Sequence, residues 1–231
     1  MLTVSGEQFG EMSRQDLTQF VEVLYEDLLP EFPELFLSLP RSVACRMLRQ
    51  GVERAQAQGF VEAGGIAAFV RLMALIGADF DEHPMVADVL AGIAEVDETK
   101  RLSALIDGLT EADLEEAYED ADDRAWFAPD DTPGWTVATL CWTFSELSAV
   151  RPEERLYALA AAAAEKARKL GLEDNDAVPV IAACIAFYGN DFDGPSGPPW
   201  CRDVLPRPDL PPTVRLELLR ARIALDTGRT I

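Results

Sequence analysis

Residues 77–82 read GADFDE, and residues 189–194 read GNDFDG. A chain of 231 residues thus carries Gly-x-Asp-Phe-Asp twice, at a spacing of 112. Two meanings compete for the repeated stretch. Aspartates two apart, followed in the first copy by Glu82, offer oxygen ligands to a hard cation such as Ca2+ or Mg2+. A glycine that ends one apolar helix, with an acid ahead of the next, is equally the signature of a structural joint. An EF-hand loop needs further ligands at fixed spacing and a glutamate at its twelfth position. The second copy runs on into PSGPPWCRDV, which has no glutamate. The joint is the better reading. It predicts positive φ at Gly77 and Gly189, with Phe80 and Phe192 turned into the core. It also predicts that Asp81 and Asp193 accept N–H bonds at the start of the following helices. No metal ligands and no cofactor are expected.

Outward from the joint, the rest of the chain keeps step. At the same offset Phe32 pairs with Phe144, Leu35 with Leu147, Pro40 with Pro152, and Gly59 with Gly171. Three extra residues in the second loop then bring Val89-Leu90 onto Val204-Leu205, and one residue lost brings Arg101-Leu102 onto Arg215-Leu216. Two unrelated helical segments have no reason to keep their glycines and prolines in register. The pattern predicts an all-α fold made of two similar helical units from an internal duplication, about five helices each, packed as one body. The units are residues 1–109 and 135–231, joined by an acidic linker at 110–134.

Helical periodicity supports this at each stage. SRQDLTQFVEVLYEDLL places Ser13 and Asp16 in capping positions and Leu17, Phe20, Val21, Leu24 and Leu28 on one face. EAGGIAAFVRLMALIG and DNDAVPVIAACIAFYG are nearly all apolar and read as the buried central helices of the two halves. PMVADVLAGIAEV begins with Pro84 in its first turn, where proline is tolerated, and in the second half WTVATLCWTFSEL precedes the helical stretch RPEERLYALAAAAAEKARKLG. No run shows the alternation of a strand.

Charge is the outlier of the composition. Twenty Lys plus Arg face 41 Asp plus Glu, a net charge of −21. Such a surface repels nucleic acid and anionic lipid, so neither is an expected partner, and it attracts a basic protein. The hydrophobic content of 48% suffices for a core and excludes a disordered chain. Cys45, Cys141, Cys184 and Cys201 show no zinc spacing and are expected as reduced thiols. With no signal-peptide pattern and no apolar run of membrane-spanning length, a cytoplasmic location is expected.

Catalytic signals are sparse. His83 is the single histidine, and its place between an acid and a proline suggests a surface residue. No nucleophile motif, GxGxxG, Walker or HExxH pattern is present, so no enzyme is expected. A carboxylate metal enzyme would instead need Asp79 and Asp191 to bind a divalent ion. The acidic linker is the stronger candidate. Residues 111–131 hold ten acids and one base, Arg124. Glu115, Glu116, Glu119, Asp120, Asp122, Asp123 and Trp126 form the expected partner-binding set, with Tyr118 and Phe127 beside it. Acids interleaved with aromatics combine steering with anchoring. Glu115, Glu119 and Asp122 would share one helical face. The alternative is a solvated linker whose aromatics pack against the fold.

The stretch GVERAQAQGFVEAGGIAAFVRLMALIGADFDEHP at 51–84 also carries a resemblance. With Leu72-Met73, Gly77, Asp79, Phe80, Asp81 and Pro84, it resembles small helical proteins encoded beside effector genes of bacterial type VI secretion systems. The resemblance spans residues from about 16 to 91, reaches the second half only through the repeat, and departs where the second joint is lengthened. It implies an immunity or accessory protein and no catalytic residues. The expected function is a cytoplasmic immunity protein that neutralises a type VI toxin with a basic surface. A DNase or other nuclease is the first choice, because its phosphate-binding cleft must be basic. An adaptor that loads an effector onto the secretion spike is the alternative.

Overall fold

The computed structural model describes residues 14–94, 96–172, 174–207 and 209–231. Among these the fold is all-helical and contains no strand. The helices are α1 (Arg14–Leu28), α2 (Pro33–Phe36), α3 (Arg41–Ala57), α4 (Ala63–Ile76), α5 (Pro84–Gly92), α6 (Glu98–Gly108), α7 (Glu111–Glu119), α8 (Thr132–Thr143), α9 (Ser145–Val150), α10 (Glu153–Lys169), α11 (Ala177–Tyr188), α12 (Pro199–Val204) and α13 (Pro212–Thr227). Short 3-10 turns lie at Phe80–Glu82 and Asp123–Trp126. Ser13 lies outside the described residues, and Asp16 sits in the first turn of α1. Among the described residues no helix is long and apolar enough to cross a membrane.

By contacts the chain divides into Met1–Leu37 with Ala44–Pro129, and Ser38–Val43 with Asp130–Ile231. The division does not leave residues 110–134 as a separate linker, as the sequence suggested. Residues 110–129 fold with the first unit, because Ala117, Trp126 and Phe127 are buried in it. Acidity misled here: charge marks one face of a segment, while burial follows the few apolar residues on the other.

In the first unit α4 is central, with Ile66, Phe69, Val70, Met73 and Ile76 buried, and it packs on α6, α7 and the first 3-10 turn. Phe69 lies between Phe60 and Phe80, with ring centroids at 5.3 and 5.0 Å. Each such buried ring contributes about 1.5–3 kcal/mol relative to exposure. In the second unit α11 is central, buried without interruption from Ala177 to Cys184, and it packs on α8, α10 and α13. On α10, Ala160, Ala163 and Ala167 face inward, and small side chains there let the two helices approach closely. Buried Phe144 separates α8 from α9. Cys141, Cys184 and Cys201 are buried, Cys45 is half-buried, and all four are thiols outside any disulfide. Burial pushes the Cys141 and Cys201 thiols up to about 12, so neither is a nucleophile at neutral pH.

Both repeated stretches are joints. α4 ends at Gly77 with φ 149°, and α11 ends at Gly189 with φ 86°, values that L side chains rarely adopt. Phe80 and Phe192 are buried. The second aspartate, however, does not cap the next helix. The residue preceding α5 is His83, with Pro84 as the first helical residue, and α12 starts at Pro199. Proline sets both starts by its fixed φ, and each carboxylate is taken by a cation instead. Arg54 of α3 donates to Asp81 through Nη2 and, at 3.2 Å, Nε, while Gln58 donates at 3.0 Å. Lys166 of α10 pairs with Asp193. Arg54 and Lys166, like Asp81 and Asp193, stand at the same spacing of 112.

A second contact recurs in register. Arg101 on α6 donates to the carbonyls of Gly59, Ala94 (3.0 Å) and Val96 (3.2 Å). Arg215 on α13 donates to Leu170 (2.9 Å), Leu205 (3.0 Å) and Gly171 (3.3 Å). In each unit one arginine satisfies carbonyls left over at helix ends, which would otherwise lack partners.

Candidate functional site

The acidic stretch is built onto the first joint. Thr110 and Asp113 form a capping box that starts α7. Asp122 at its far side donates its N–H to Asp79 at 3.1 Å. Ala121 packs so closely on Gly77 that a Cβ at position 77 would collide with it. Asp122 also accepts from Arg124 N at 2.8 Å and opens the second 3-10 turn. The one base of the stretch, Arg124, is turned onto the carbonyls of Phe127 (3.3 Å), Ala128 (3.1 Å) and Pro129 (2.9 Å).

Of the residues expected to bind a partner, Glu115, Glu116, Glu119, Asp120, Asp122 and Asp123 are exposed. Trp126 is not: it is 1% exposed and belongs to the core. Its large apolar surface is worth more inside, where it anchors the stretch. Nor does Asp122 share a face with Glu115 and Glu119, because α7 ends at Glu119 with Asp120 as its C-cap. The facing pairs are Glu115 with Glu119 and Glu116 with Asp120, each at i, i+4. Protein around the Asp123 carboxyl, then the charges of Asp122 and Asp79, push its pKa above the ordinary value.

This arrangement does not favour folding. The last turn of α7 has no base, so its acids sit at the negative end of the helix dipole. Each costs about 0.3–1 kcal/mol there, and each like-charged i, i+4 pair adds a few tenths.

Two depressions flank α7. One is an apolar groove of ≈ 580 Å³ between α4, α6 and α7, in which Leu75 (61% exposed), Ile106 (52%) and Tyr118 (65%) face solvent, and its only charged lining residues are Glu111 and Glu115. Sequence reading named Tyr118 but not Leu75 or Ile106. They are far apart in the chain, and each looks like part of an apolar helix face. The other is a polar cleft of ≈ 200 Å³ lined by Asp79, Glu82, His83, Pro84, Ala117 and Asp120. There His83, expected on the surface, is half-buried, and its Nδ1 is shielded without a hydrogen-bond partner. One ligand atom each from His83, Glu116 and Asp120 lie within 4.8 Å of one another.

No family profile, curated protein or solved structure matches the chain.

Proposed function

We propose that the protein works by binding another protein: it is an immunity protein that captures and silences a basic toxin of a type VI secretion system, a nuclease in the first place, in the cytoplasm. The observation that supports it most is α7. The exposed acids of its last turn stand where they oppose folding, and Glu111 and Glu115 line an apolar groove that exposes Leu75, Ile106 and Tyr118. Acids around an apolar patch give fast electrostatic capture and a desolvated anchor, the two parts of a tight interface. The net charge of −21 adds long-range attraction for a basic cleft. The matching ion pairs and arginine contacts support the further reading that the two units are copies of one ancestral helical unit.

Co-expression with the product of the adjacent gene tests the function. A stable complex and rescue of growth are expected, and growth inhibition despite co-expression removes the immunity reading. A stable complex that leaves the toxin fully active points to effector loading instead. The association rate should fall steeply from low to high salt, and Leu75→Ala with Tyr118→Ala should speed dissociation.

A further inference from the structure

We propose that His83, Glu116 and Asp120 form a binding site for a first-row divalent transition ion, Zn2+ in the first place. The site is independent of the reading as an immunity protein. One imidazole nitrogen and two carboxylate oxygens make a donor set typical of Zn2+, and mixed nitrogen and oxygen ligands favour it over Ca2+ or Mg2+.

The fold prearranges the three. His83 is fixed at the joint: its N–H donates to Phe80 O, its carbonyl accepts from Ala87 N, and Pro84 starts α5 directly after it. Glu116 of α7 and its C-cap Asp120 lie one turn apart, and the end of α7 is tied to the same joint through Asp79 and Ala121. Ligands at about 2.0–2.1 Å from a tetrahedral ion stand about 3.3 Å from one another. Contraction from the present limit of 4.8 Å is within reach of two exposed carboxylate side chains.

Two observations beyond proximity favour a cation here. His83 lines the cleft, its Nδ1 is shielded and unpartnered, and a shielded ring nitrogen without a partner carries a penalty. Among the described residues no lysine or arginine pairs with Glu116 or Asp120, although other carboxylates in the unit, those of Glu31, Asp81 and Glu82, have such partners. The two remaining acids of the cleft are committed, Asp79 to the Asp122 N–H and Glu82 to Arg54. A bound ion would relieve the repulsion between Glu116 and Asp120, and three protein ligands leave a fourth position for water or a partner's side chain.

Titration of the full chain with ZnCl2, followed by calorimetry and by NMR of the imidazole C–H signals, tests this. The chain has one histidine, so those signals report His83 alone. One equivalent of Zn2+ should bind, moving the His83 signals in step and raising Tm. Glu116→Gln and Asp120→Asn should each weaken binding at least about tenfold. The same substitutions should raise Tm of the metal-free protein, which a merely structural role would not produce. Asp191→Asn, at the second joint, should leave affinity unchanged. The proposal is overturned if no Zn2+ binds, if it binds without moving the His83 signals, or if Glu116→Gln and Asp120→Asn leave affinity unchanged.

Discussion

At the first joint Asp81 is buried against Arg54 and Gln58, Asp79 holds the Asp122 N–H, and an acidic segment is packed down onto Gly77. At the second joint Asp193 meets Lys166 with 29% of its side chain exposed, Asp191 is exposed, and a Cβ at Gly189 would meet open space. There the longer loop leads to Trp200, which stacks edge-on against Tyr188 at 5.4 Å, while Tyr188 donates to Asp226 at 2.7 Å. The same five-residue pattern therefore does the same backbone work twice and different chemical work once. The glycine, the phenylalanine and the paired aspartate are common to both. Among the described residues only the first joint has a segment docked on its first aspartate, and that segment supplies the acidic helix and one wall each of the apolar groove and the His83 cleft.

The largest test of this contrast is to remove the paired aspartates. Asp81→Ala leaves Gln58 without its acceptor and Arg54, 14% exposed, with the exposed Glu82 alone, and should cost about 3 kcal/mol. Asp193→Ala leaves Lys166 its bond to the Asn190 carbonyl and removes a partner that is itself 29% exposed, and should cost about 1 kcal/mol. Urea unfolding with each variant measures both, and equal losses would break the contrast.

Glycine replacement comes next. Gly77→Ala meets both an unfavourable φ and Ala121, and should cost about 2–3 kcal/mol. Gly189→Ala meets only the unfavourable φ and should cost about 1 kcal/mol. Thermal unfolding by circular dichroism reads the difference.

The arginines probe what the joints share. Arg101→Ala and Arg215→Ala should each cost about 2 kcal/mol, because each leaves carbonyls without a charged donor. A large inequality would show that the matching contacts do not carry matching energy.

The smallest effect is expected at Asp123. Its folded pKa is raised, so the native state holds that proton more tightly than the unfolded chain. The stability this contributes is fully present below the unfolded pKa and is lost as pH rises through the folded one. Asp123→Asn should therefore raise Tm at neutral pH and leave it nearly unchanged below the ordinary carboxylate range. Tm measured across pH checks the sign.

Sequence periodicity was enough for the helical class, for the buried central helices α4 and α11, and for both joints, because those follow from local rules. An apolar run must be covered, and a glycine after it lets the backbone turn. Asp81 was misread because its partners, Arg54 and Gln58, lie a helix away, and local spacing offered only the backbone N–H groups ahead. Trp126 was misread because charge density around it spoke louder than its own area.

What the sequence determined by itself is what neighbours along the chain can enforce: helix, turn, net charge and the in-step spacing of the two halves. Tertiary structure alone decided which acids are paired, which face of α7 meets solvent, and that His83 stands beside Glu116 and Asp120. Those outcomes depend on which groups are brought out of water together. A carboxylate or an imidazole has no fixed role until its solvent has been replaced by particular neighbours.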